Sequence, residues 1–302
     1  MADQRSFTAG RFALSAGDIN LGYVKSVKGG STVGELATHN TGPDNVVRKH
    51  ISNIKHEAFT LEVGAGMGKG FYEWMRQSFE KSHVVKDGSI TAADFDYRAM
   101  RRTDFFGGLI TEVGIPALDG SSKDPIYLSV KIEPERLRHE KESGAKLEAK
   151  FGVKTKRWVA CNFRVDIGDL PCSRVSKVDA FKLTQKTARD QVGQFREATL
   201  HPTHVEVDNI KLTISSADSG PWETWFRSFV IDGNCSDSDE LTGSITLLGP
   251  NHKDELGRIE LSHIGIIKME QEAHEANKDS VARFIVELYV EEMKLMFDDV
   301  DA

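Results

Sequence analysis

The stretch HISNIKHEAFTLEVGAGMGKGFYEWMRQSFEKS, His50 to Ser82, decides how the chain is read. Phe59, Leu61 and Val63 alternate with polar residues, the period of a strand with one buried face, and Ile51 and Ile54 precede them in what reads as one strand. GAGMGKG breaks that pattern. Beyond it, Phe71, Trp74, Met75 and Phe79 share one face of a short amphipathic helix. A second stretch, HPTHVEVDNIKLTISSADSGPWETWFRSF (His201 to Phe229), follows the same plan: a strand through Val205, Val207, Ile210, Leu212 and Ile214, then a tryptophan helix.

Working outward, a shift of 151 residues lays one half of the chain over the other. Phe12, Gly17 and Asp18 fall on Phe163, Gly168 and Asp169. Val24, Val27, Gly42, His50, Leu61 and Trp74 fall on Val175, Val178, Gly193, His201, Leu212 and Trp225. Where residues differ, apolar character is kept, as in Phe59 with Ile210 and Phe71 with Trp222. After Trp74 the register slips by four, pairing Gly88 and Ile90 with Gly243 and Ile245, then Lys123-Asp124 with Lys278-Asp279. An insertion in the acidic loop Asp232 to Glu240 accounts for the slip. The expectation is a tandem duplication: residues 1–133 as the first copy, 134–156 as a charged linker (helix or tether), and 157–302 as the second copy.

Each copy reads as a small β-barrel or sandwich with one helix, so the fold class is mainly β with short helices, α+β. Alternating runs around Gly17-Asp18 predict a hairpin. Ser31 to Arg48 carries Gly, Pro and Asn without a sustained period and predicts a protruding loop or ribbon, with Thr184 to Thr199 as its counterpart. Further strands are expected at Gly88–Thr91, Gly107–Val113, Ile126–Ile132, Phe163–Ile167 and Phe284–Val290.

Composition narrows the function. Of 302 residues, 39% are hydrophobic and 28% charged, enough apolar material for a packed core. A net charge of −7 argues against a sequence-independent nucleic-acid binder, which needs clustered cations. No window approaches the ~18 consecutive apolar residues of a membrane span. MADQRSFTAGRF lacks the apolar core of a secretory signal. Cys161, Cys172 and Cys235 have no metal-binding spacing and leave one thiol over in any disulfide scheme, which favours a reducing compartment during folding.

Candidate chemistry is thin. GAGMGKG, Gly64 to Gly70, lies between strand and helix as a phosphate loop would, but Lys69 is followed by Gly70 instead of Ser or Thr, and the second copy keeps neither glycines nor lysine. His201 and His204 fall on a strand, where that spacing turns the rings to opposite faces. Asp232, Asn234, Asp237 and Asp239 lack the glycine and terminal glutamate of a calcium loop. The tryptophans Trp74, Trp222 and Trp225 read as core anchors of the helices. No catalytic, cofactor-binding or metal-ligating residue is assigned, and no enzyme is expected.

FALSAGDINLGYVKSVKGGSTVGEL, KHISNIKHEAFTLEVGAGMGKGFYEWM and PALDGSSKDPIYLSVKIEPERL together resemble the tail-tube proteins of contractile phages and related contractile injection systems. Lys49, Ile51, Ile54, Glu57, Leu61, Phe71 and Trp74 carry the likeness in the first half, and His201, Val205, Asp208, Leu212, Trp222 and Trp225 follow more loosely in the second. The resemblance implies a structural, non-enzymatic subunit without cofactor, one of the rings that stack into an inner tail tube through which DNA or effectors pass. It implies a homo-oligomer of three or six chains, tail sheath and baseplate proteins as partners, DNA passing without specific binding, no membrane insertion, and a place in the virion after assembly in the host bacterial cytoplasm. A trimeric baseplate hub or tube initiator joining tube to spike is the alternative. A ligand-binding protein or enzyme on a duplicated β scaffold is a remote one.

Overall fold

A computed structural model describes the chain except residues 1–9, 18, 41, 143, 148–156, 192–196, 273–281 and 298–302. The first half runs β1 (Arg11–Ala16), β2 (Ile19–Val24), β3 (Ser26–Gly29), β4 (Thr32–His39), β5 (Arg48–His56), β6 (Phe59–Val63), α1 (Lys69–Ser78), β7 (Lys86–Ala93), β8 (Ala99–Ile115), β9 (Leu118–Asp119), β10 (Leu128–Glu133) and β11 (Arg136–Lys141). The second runs β12 (Phe163–Ile167), β13 (Val175–Val178), β14 (Phe181–Asp190), β15 (Thr199–Val207), β16 (Ile210–Ser215), α2 (Ser219–Phe226), β17 (Leu241–Leu248), β18 (Glu255–Gln271) and β19 (Arg283–Phe297). The chain is mainly β, as its alternating runs require.

The two halves share a strand order. In the first the sheet runs β2-β1-β7-β8-β10-β6-β3, and in the second β12-β17-β18-β19-β16-β13, with the same neighbours at every shared step. Cross-strand partners correspond too. Val130 sits between Leu61 and Val113, and Val286 sits between Leu212 and Met269. Even the irregularity recurs: the ladder shifts between Lys131 and Ile132 on β10 and between Ile266 and Lys268 on β18. The Gly88 and Ile90 register is likewise matched, since Ile90 faces Leu14 and Ile245 faces Val165. Lys278-Asp279 lies outside the described residues.

Apolar faces of both halves merge into one core, with Leu14, Leu61, Phe71, Trp74, Val113 and Val130 in the first and Leu212, Trp222, Ile245, Ile259 and Val286 in the second. Trp158 seals the joint: it is buried, 5.3 Å from the Phe297 ring and 6.3 Å from Tyr72. Trp74 and Trp222 are fully buried and donate their indole N–H to the Val84 and Pro171 carbonyls at 3.1 and 3.2 Å. Those bonds satisfy a donor that would otherwise be desolvated at a cost of about 1–3 kcal/mol.

Two expectations need correction. His50 to Val63 is two strands, because Glu57 and Ala58 turn the chain and only β6 faces the core; β5 pairs with β4 in a separate two-stranded ribbon. The same break at Asp208 and Asn209 splits β15 from β16. The other concerns 134–156, expected as a linker. Arg136–Lys141 is strand β11, paired antiparallel with Phe106 to Arg101 of β8, because its alternating long charged side chains suit an edge strand open to water. The ribbon expected over Ser31 to Arg48 is present as the β4–β5 arm. The Gly17 hairpin joins β1 to β2 with Gly17 at φ +56°. Its counterpart after β12 has no second strand, since Pro171 removes a ladder donor there.

Candidate assembly interface

The hairpin β14–β15 of the second half does not join its own sheet. It adds to the first half along the C-terminal end of β8, with Phe181 opposite Ile115, Lys182 opposite Gly114, Leu183 opposite Val113 and Thr184 opposite Glu112. The same segment of β8 pairs on its other edge with β10, so the junction makes a continuous sheet, β15-β14-β8-β10-β6-β3. Phe181 and Leu183 are 3% and 1% exposed, and side chains of this size stabilise by about 1.5–3 kcal/mol each when fully buried. Backbone pairing gives the junction its geometry, and the alternating apolar pair fixes its register.

Polar contacts hold the outer part of the hairpin. Arg189 pairs with the Glu133 carboxylate, which also accepts from the Thr187 hydroxyl at 3.2 Å. The Leu200 amide donates to the Glu135 carboxylate at 2.9 Å. Lys182 lies 3.6 Å from Glu112, both exposed enough that the pair contributes about 0–1 kcal/mol. Basic hairpin and acidic rim therefore meet.

Residues 8–138 match the family model described as T4-like virus tail tube protein gp19. The first half of the chain is thus similar to the tail-tube proteins. The match covers somewhat less than half of the chain and ends before the second half begins. The family that this half matches is one of structural tail-tube proteins. Three solved structures are similar over about half of the chain. They are the anti-feeding prophage tube-terminating cap (18% identity, TM-score 0.41, 47% of this chain and 95% of that one), the sheath–tube complex of the extracellular contractile injection system PVC in the extended state (18%, 0.40, 46% and 94%), and the PVC sheath/tube terminator (19%, 0.39, 46% and 99%). No curated protein is similar enough in sequence to match.

The glycine-rich segment before α1 has a packing role in the first half. Met67 is buried under Gly22, whose φ of +139° and lack of Cβ let the thioether in; a Cβ there would stand 2.7 Å from Met67 Sδ. The Gly68 amide donates to the Leu21 carbonyl at 2.8 Å. Lys69 is exposed, 3.9 Å from Glu73 one turn on. His201 and His204 are exposed on β15, with His204 Nε2 3.0 Å from Glu206. In the acidic loop, the Asp239 carboxylate is held low by the Ser236 hydroxyl and amide, a turn closed on itself.

Sequence reasoning missed one cluster. Glu240, His263 and Glu291 bring ligand-type atoms within 4.8 Å of one another, a set that could hold a cation. Glu240 accepts from the Tyr289 hydroxyl at 2.6 Å, which holds its carboxyl low, and its contact to His263 Nδ1 at 2.7 Å raises the imidazole. Burial, then the bond to Glu240, pushes the Tyr289 phenol up. These residues come from three separate segments of sequence, so no local spacing signals them.

Proposed function

We propose that this chain builds the inner tube of a contractile tail, or the ring beside it at the baseplate, and that three chains supply the six tail-tube-type domains of each ring. The observation that carries this reading is the addition of β14 to the edge of β8. Edge-to-edge pairing extends a sheet sideways, so the two halves stand next to each other in one ring; halves in successive stacked rings would have no reason to share a sheet. The matching strand order and cross-strand partners support a tandem duplication as the origin of the two halves. The net charge of −7 suits a lumen that DNA or effectors traverse without adhering. Sheath and baseplate proteins are the partners, the role needs no catalysis, and the assembled site is a virion or injection-system tail, formed in the host bacterial cytoplasm.

Electron microscopy of the purified protein tests this. Annular particles with an axial channel and three chains per ring are expected. A compact monomer at high protein concentration would overturn the assembly reading, and six chains spread over two stacked rings would overturn the stoichiometry. A hub joining tube to spike shares the threefold ring and is distinguished by its position in the particle.

A further inference from the structure

The cluster of Glu240, His263 and Glu291 spans three neighbouring strands of the second half. Glu240 immediately precedes β17, His263 lies on β18, and Glu291 lies on β19. Their ligand-type atoms come within 4.8 Å of one another. The β18–β19 register, with Ser262 opposite Glu292 and Ile264 opposite Val290, sets His263 across from Glu291.

The first half shows what this place needs for folding alone. Ladder partners lay Ile110 opposite Ile132 onto Ile266 opposite Leu288, and Lys86 opposite Gly108 onto Leu241 opposite Ile264. His263 therefore corresponds to Gly107, Glu291 to Glu135 and Glu240 to Val85. Gly107 has a φ of +59° and His263 a φ of +56°. In both halves the inward alternation skips a residue here, from Phe105 to Gly108 and from Leu261 to Ile264. The left-handed turn thus belongs to the sheet. Glycine takes it without strain, whereas a residue with a Cβ is disfavoured there. Folding gives no reason to put histidine in glycine's place. What the second half gains is an imidazole turned outward, and Glu240 stands beside it where the first half has valine.

The charges around that imidazole are one-sided. The Glu240 side chain is only 8% exposed, and a carboxylate so shielded from water calls for a compensating charge. Among the described residues no Lys or Arg pairs with Glu240 or Glu291, and Glu292 adds a third acid close to His263. Tyr289 donates its hydroxyl to Glu240 Oε1 at 2.6 Å, which leaves Oε2 facing His263 Nδ1 at 2.7 Å. A donor behind a carboxylate, fixing which oxygen points forward, is the support that metal-ligating carboxylates have.

We infer that Glu240, His263 and Glu291 bind one divalent first-row transition cation of the zinc class, with water completing its shell. The inference goes beyond the ring reading and does not rest on it. One imidazole nitrogen among carboxylate oxygens suits such ions, whereas calcium and magnesium take all-oxygen shells. The cation takes the place of the proton that lies between His263 Nδ1 and Glu240. Ligands about 2.0–2.2 Å from a tetrahedral zinc stand about 3.3–3.6 Å apart, so a turn of the exposed Glu291 side chain closes the set. Bound there, the ion ties β17, β18 and β19 together where the acidic loop enters the sheet.

The test is calorimetric titration of the full chain with Zn²⁺ after chelator treatment, in a Cys235→Ser background so that this exposed thiol does not take up the probe. One equivalent per chain is expected, with a rise in Tm. His263→Gly restores the residue of the first half, so it should fold at least as well, and it should weaken Zn²⁺ binding about a hundredfold. Tyr289→Phe removes only the orienting donor and should weaken it about tenfold. His201→Ala, an exposed histidine outside the cluster, should leave binding unchanged. A folded chain that takes up no Zn²⁺ would overturn the site, as would a titration undiminished in His263→Gly. Calcium bound as tightly as zinc would overturn the class of ion.

Discussion

Leu183 of the second half lies directly opposite Val113 of the first, across a strand pair that joins two halves of one chain. Leu183 is 1% exposed and Val113 is fully buried, so this contact is core and not rim. The chain thus carries an assembly-type junction within itself.

Removing that side chain should be costly. Leu183→Ala leaves a cavity at the junction and should destabilise the protein by about 2–5 kcal/mol. Urea unfolding followed by circular dichroism measures it. A loss below about 1 kcal/mol would mean that the hairpin is merely resting on β8.

Arg189 and Glu133 make the junction's shielded ion pair, with the Glu133 side chain 13% exposed. A double-mutant cycle with Arg189→Met and Glu133→Gln should give a coupling of about 1–2 kcal/mol, weakened by salt. The exposed Lys182 and Glu112 pair should give less than about 0.5 kcal/mol in the same experiment.

The Gly64 to Gly70 segment separates a packing role from a phosphate-binding one. Met67→Ala should cost about 2–5 kcal/mol, since Met67 is 1% exposed beneath Gly22. Lys69→Ala should change stability by less than about 0.5 kcal/mol. Isothermal calorimetry with ATP should register no heat in either protein; a titration that Lys69→Ala abolishes would restore the phosphate loop.

His56 gives the root of the arm a pH dependence. Burial lowers its pKa below 6.5, and Arg189, His139 and Arg136 lower it further against an opposing pull from Glu197. The folded state therefore favours neutral imidazole, and stability is lost as pH falls from 6.5 through the depressed folded value. Amide exchange at Thr32, whose hydroxyl lies 3.0 Å from His56 Nδ1, should quicken over that window. In His56→Gln the effect should vanish; unchanged acid sensitivity would assign it elsewhere.

The opposite sign holds at Glu240. Its carboxylate raises His263, so that interaction is present below the imidazole's unfolded pKa and fades as pH rises through the raised value. Glu240→Gln should bring the His263 titration, followed by NMR, back down toward 6.5. A His263 titration that does not move would show that the pair is not formed in solution.

Much of the fold was legible in alternation. Phe59, Leu61 and Val63, or Val165 and Ile167, declare a strand with one wet face because side chains on a strand point to alternate sides. The helix carrying Trp74 was legible for the same reason at a longer period. What alternation could not supply was pairing. The run from His50 to Val63 reads as one strand, yet β5 leaves with the arm while β6 stays in the core, since a turn at Glu57 and Ala58 carries no strong punctuating residue. β11 was hidden by its charge: Arg136, Arg138 and Glu140 look like a tether until an edge of β8 is there to receive their backbone.

The sequence by itself determined that the chain is β-rich, that its halves run in parallel register, and that its first half resembles a tail tube. Local periodicity and the order of apolar residues are properties of neighbours along the chain, so they survive without coordinates. Only the tertiary structure decided that one arm is docked on β8 while the other, among the described residues, pairs only with itself, because strand addition is a contact between backbones some seventy residues apart in the chain, as Leu183 is from Val113. Backbone hydrogen bonds do not depend on side-chain identity, and so they leave little trace in sequence.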